Sequence, residues 1–90
     1  MKITNKFGLP ERTTPEELET CFMYSKFLTF GGRFLMAGYR YNGLHKDGYY
    51  GAIYEFTSER HTCEDEIRLV KVSGEFFPDD GHAMKWAMNA

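Results

Sequence analysis

The spacing of apolar and polar residues changes along the chain and divides it into elements. Residues 1–13 show no period, and Gly8-Leu9-Pro10 carries a turn signal. This stretch is expected to be an irregular arm held to a core by Ile3, Phe7 and Leu9. Thr14-Pro15-Glu16-Glu17 is a helix start. Threonine can cap, proline fits the first helical position, and Glu17 can close a capping box. Leu18, Cys21, Phe22, Ser25 and Leu28 then fall on one stripe, which predicts a helix over 15–28. We prefer this to a short strand at Phe27–Phe30 entering a Gly31-Gly32 hairpin.

Two alternating runs follow, predicting strands over Phe34–Leu44 and Tyr49–Thr57 with a turn at His45-Lys46-Asp47-Gly48. That turn would set Arg40 opposite Tyr54, Tyr41 near Ile53 and Gly38 near Phe56. Glycine in a strand leaves room for a large ring on its neighbour. One face then holds Phe34, Met36, Gly38, Tyr50, Ala52, Tyr54 and Phe56; the other holds Arg33, Leu35, Ala37, Tyr39, Tyr41, Tyr49, Ile53 and Glu55. After a polar loop at 58–65, Ile67–Val72 is a third strand, and Phe76-Phe77 can prolong it. Asp79 or Asp80 caps a final helix bearing Ala83, Trp86 and Ala87 on one side.

The expected fold is therefore α+β: an N-terminal helix, a three-stranded antiparallel meander and a C-terminal helix, with both helices on one face of the sheet. Residues 1–90 would make one small domain. The sheltered face would be that of Phe34, Tyr54 and Phe56, leaving the tyrosine face open.

Composition narrows the function. Eleven basic against thirteen acidic side chains give a net charge of -2, which argues against nucleic acid or anionic lipid as a general partner. No run approaches the roughly 18 apolar residues of a membrane span. The opening MKITNKFGLP lacks the hydrophobic core of a secretory signal. Cys21 and Cys63 are too few for a disulfide framework and read as reduced thiols, which suits the cytoplasm. A metal set of His61, Cys63, Cys21 and His82 lacks the close ligand pairs that zinc sites use. His61-x-Cys63 as a base and nucleophile has no orienting acid. No glycine run ends in the Lys-Ser/Thr of a phosphate-binding loop. We therefore expect no catalytic residues, no cofactor and no metal.

The element order is similar to that of the double-stranded RNA-binding domain, with Arg60-His61 in a loop between strands and Gly81-His82-Ala83-Met84-Lys85 opening the last helix. That resemblance implies RNA binding through lysines at the last helix. Here Asp79 and Asp80 would meet phosphate with the wrong sign. The preferred reading is a non-catalytic adaptor or inhibitor that occupies a protein surface, similar in composition to accessory proteins of phages and mobile elements that block host nucleic-acid-handling complexes. Its anchors would be Arg33, Tyr39, Tyr41, Tyr49 and Glu55, since tyrosine and arginine combine area with polar handles. Glu59, Glu64, Asp65, Glu66, Asp79 and Asp80 would form an acidic rim steering a basic partner. The alternative is a nucleic-acid-binding module stacking bases on the same tyrosines. A homodimer burying them is a third arrangement.

Overall fold

The computed structural model describes residues 8–42 and 45–90, apart from the side chains of 41, 42 and 45–47. Chain order is β1 (Arg12–Thr13), α1 (Pro15–Cys21), β2 (Lys26–Phe30), β3 (Arg33–Asn42), β4 (His45–Phe56), β5 (Ile67–Val72) and α2 (Asp80–Asn89). All pairings are antiparallel, and the five strands lie in the order β1-β5-β4-β3-β2. The expected three-stranded meander is thus a five-stranded sheet. It gains one strand from the segment read as an irregular arm and one from the segment read as helix.

Capping chemistry starts α1, and strand pairing ends it. Thr14 Oγ1 accepts the Glu17 N–H at 3.2 Å, and Pro15 takes the first turn, where no donor is needed. Phe22 leaves helical backbone, and the Ser25 N–H turns back to the Phe22 carbonyl at 3.0 Å. Residues 26–30 then pair with β3 instead of continuing the helix to 28. Phe27 stacks on Phe34 with ring centroids 5.5 Å apart, a contact worth about 0.5–1.5 kcal/mol beyond its area. The Gly31-Gly32 loop closes this hairpin, with φ +62 at Gly31 as a type II′ turn requires.

The next hairpin also departs from expectation. Asn42 pairs with His45, so only residues 43 and 44, outside the described part, separate the strands. His45–Gly48 is strand rather than turn, and the register shifts between Arg40 and Tyr41 with Gly48 at φ +144. Arg40 therefore faces Gly48 and Tyr41 faces Lys46, while Gly38 faces Tyr50 rather than Phe56. The reason for a glycine survives the change of partner. A Cβ at Gly38 would lie 2.9 Å from the Tyr50 ring and hydroxyl.

The helices do not share a face. Leu18 of α1 joins Leu9, Phe34, Met36, Tyr50, Ala52, Tyr54 and Ile67 in one buried cluster. Ala87 of α2 packs with Leu35 and Ile53, which alternation places on the opposite side. The expected single sheltered face is corrected to a sheet covered on both. Small residues decide this: a Cβ at Gly51 would fall 2.5 Å from Trp86 Cε3 and 2.9 Å from the Ala83 carbonyl, so only a bare backbone admits the helix this closely. Tyr54 donates its buried hydroxyl to the Pro10 carbonyl at 2.8 Å, and Leu9 beside it is fully buried. No helix among the described residues is long and apolar enough to cross a membrane.

Candidate protein-binding surface

Of the residues expected to anchor a partner, Arg33, Tyr39, Tyr49 and Glu55 lie on the side of the sheet that α2 crosses. Tyr39 and Tyr49 face each other across β3 and β4, their rings edge to face at 6.0 Å, and both are half-buried. The Tyr49 backbone exchanges hydrogen bonds with Phe77 just before α2, at 3.1 and 2.7 Å. The Tyr41 side chain lies outside the described residues. At the far end of α2, Arg33 Nη1 donates to the Ala90 carbonyl at 2.8 Å, and its Nε sits 3.6 Å from Glu55 Oε2. The cation meets the negative end of the helix dipole and holds that end to the sheet.

The six carboxylates expected at the rim divide by environment. Glu59, Glu64 and Glu66 are exposed, and Glu66 accepts the Thr57 hydroxyl at 3.3 Å. Asp65 is 8% exposed and organises its own loop. It accepts from the Thr62 hydroxyl at 2.7 Å, the Thr62 N–H at 2.9 Å and the Arg60 guanidinium at 2.8 Å. These bonds, those from Thr62 first, hold its carboxyl down at about 2. Asp79 caps α2, accepting the His82 N–H at 2.8 Å with His82 Nδ1 at the same distance, and those contacts lower its pKa. Asp80 sits in the first turn of that helix.

Exposed apolar surface is concentrated elsewhere. Of the seven large hydrophobic side chains exposed among the described residues, Met23, Tyr24, Leu28 and Phe30 fall within eight positions, and Tyr24 is 77% exposed. Two hollows meet at Met23. One, of about 190 Å³, runs between Phe22, Tyr24 and Tyr39. The other, of about 510 Å³, is walled by Glu16, Glu19 and Cys63. The Glu16 N–H donates to the Cys63 carbonyl at 3.0 Å, which draws the loop bearing Glu64 against the start of α1. The α1 carboxylates Glu16 and Glu19, with Cys63 of the loop, thus border an apolar centre that continues to Tyr39.

Sequence reasoning missed this centre. The signal was the run Phe22-Met23-Tyr24, because three large consecutive side chains cannot all lie on one helical stripe. Glu16 and Glu19 were visible as charges on α1, but their convergence with the 58–65 loop depends on a contact between distant segments.

The remaining candidate chemistry is dispersed. His61 stacks on Phe56 with centroids 4.7 Å apart, and both Cys21 and Cys63 are exposed free thiols. Cys21 does not occupy the buried stripe expected of it. Among the described residues, no group of three or more His, Cys, Asp or Glu side chains is placed to hold a metal ion.

Residues 9–90 match the protein family described as "Nucleotide modification associated domain 4", and the chain belongs to that family. No curated protein and no solved structure matches the chain.

Proposed function

We propose that this chain serves a nucleotide-modification system as a non-catalytic protein-binding component, an adaptor or inhibitor acting by surface occupation. The observation that carries the reading is the apolar centre at Met23 and Tyr24, bordered by Glu16 and Glu19 and continuous with Tyr39. An apolar core with a charged rim is the usual anatomy of a specific protein contact. Its partner is a protein presenting an apolar patch ringed by lysine or arginine, the chemistry of surfaces that handle nucleic acid. Arg33 contributes by holding the far end of α2 to the sheet, with Glu55 beside its guanidinium.

The test compares the unmodified protein with Glu16→Lys/Glu19→Lys and with Met23→Ser/Tyr24→Ser. Proteins captured from the native host are purified and measured again as single components. The charge variant should slow association about tenfold at low salt, because the rim acts through steering. The apolar variant should speed dissociation. Tight oligonucleotide binding by the unmodified chain, falling steeply with salt while no protein partner survives purification, would replace this reading with nucleic-acid binding through the sheet tyrosines.

A further inference from the structure

The sheet has two very different edges. On one side β1 is two residues long, and β5 beside it is broken by a bulge where the register shifts between Ile53 and Tyr54. Short and bulged edges are the ordinary protection against pairing with another chain. On the other side β2 is five residues of regular strand, Lys26-Phe27-Leu28-Thr29-Phe30, without proline or bulge. Leu28 and Phe30 on it are 37% and 48% exposed.

Hydrogen-bond parity fixes what that edge offers. In a two-residue hairpin the flanking pair, here Phe30 and Arg33, exchanges backbone bonds, and bonded and non-bonded pairs then alternate. The Phe56 N–H bonds to the Gly32 carbonyl, so even-numbered residues of this part of β3 turn toward β4, as that alternation demands. Phe30, Leu28 and Lys26 consequently direct their backbone groups inward to β3. Phe27 and Thr29 direct N–H and C=O outward from the sheet.

We propose that this edge pairs with β2 of a second copy, antiparallel about a two-fold axis at Leu28, joining two sheets into one of ten strands. The proposal is independent of the partner surface at Met23. Phe27 of each chain would exchange backbone bonds with Thr29 of the other, satisfying every outward group of both residues. Leu28 would meet its own copy in a non-bonded pair, where side chains come closest, with Cα atoms about 4.5 Å apart. Lys26 would lie opposite Phe30 of the other chain, a cation beside an aromatic ring. The two lysines would be at opposite ends of the pair, so the only charge on the strand never faces itself. This match of the sequence to itself is what selects a second copy over an unrelated strand, and a two-fold pairing closes without leading to fibres.

Solution mass against concentration tests it. The unmodified chain should show twice its monomer mass at about 100 µM and dissociate on dilution. Thr29→Pro removes an outward donor without touching a bond to β3, and Leu28→Lys sets two ammonium groups face to face. Both should remain monomeric while keeping the circular dichroism and melting temperature of the unmodified chain at low concentration. In a Cys21→Ser/Cys63→Ser background, Leu28→Cys should form an intermolecular disulfide on mild oxidation and Thr29→Cys should not. A chain that stays monomeric throughout overturns the proposal. So does a dimer that persists in both edge variants, or an edge that captures only an unrelated strand.

Discussion

Single residues decide how closely the layers of this protein approach. Gly51 is the sharpest case, since an added methyl would meet both the Trp86 ring and the Ala83 carbonyl, and the carbonyl cannot rotate away. Gly51→Ala should therefore cost about 1–3 kcal/mol, the usual range for an overfilled core, read as a lower urea midpoint with an unchanged slope. Ser73, 1% exposed, is a matching polar case. Its hydroxyl accepts the Gly51 N–H at 3.1 Å and donates to the Glu75 carbonyl at 2.9 Å. Asp65 makes a prediction in pH. Its folded pKa of about 2 lies below the ordinary 3.8, so the folded state binds fewer protons than the unfolded one in that interval. The stability it contributes is present above 3.8 and is lost as pH falls through about 2. Asp65→Asn should flatten the stability profile over that window in acid titration followed by circular dichroism. Tyr50, its pKa raised by burial to about 12, acts at the other extreme. Its contribution is intact below 10 and disappears as pH rises through about 12.

At the level of elements, the instructive segment is Cys21–Phe30. The helical stripe ending at Leu28 and the strand Lys26–Phe30 use the same residues, and local pattern supports both. Pairing with β3 settles the matter, because it satisfies a row of backbone groups and places Phe27 against Phe34. A seven-residue helix is too short to hold itself together, so α1 depends on its cap and on Leu18. Thr14→Ala should destabilise the protein by about 1 kcal/mol, whereas Thr14→Ser should be nearly neutral, as chemical denaturation would show. The shift of the second hairpin has a comparable origin. His45–Gly48 has the composition of a turn, but Gly48 at positive φ and the Tyr49–Phe77 bridge hold the segment in β4.

The whole molecule is a single sheet between unlike layers. On one side lies the large cluster under α1 and the N-terminal segment; on the other, α2 lies on Gly51, Leu35 and Ile53. With the sheet shared, neither layer can melt alone, and unfolding should be one cooperative transition. Trp86, the only tryptophan, reports the α2 side, and Leu18 belongs to the other. Leu18→Ala should lose about 2–5 kcal/mol and shift the tryptophan fluorescence midpoint by as much as the far-ultraviolet midpoint. Separate midpoints would show the layers to be independent.

The sequence alone determined the properties that depend on neighbours in the chain. These include the cap at Thr14, the strand at Ile67–Val72, a cap at Asp79 or Asp80 (the structure uses Asp79) with Ala83 and Ala87 inward, and the alternation that sorts β3 and β4 into two faces. The need for a glycine at position 38 was also legible, although its neighbour was not. Only tertiary structure decided which faces are covered, because both faces are apolar enough to bury and the choice rests on shape. It likewise placed Glu16 beside Cys63 and left Met23, Tyr24 and the β2 edge outside. Such contacts join residues whose separation along the chain carries no period, so a pattern read along the chain cannot contain them.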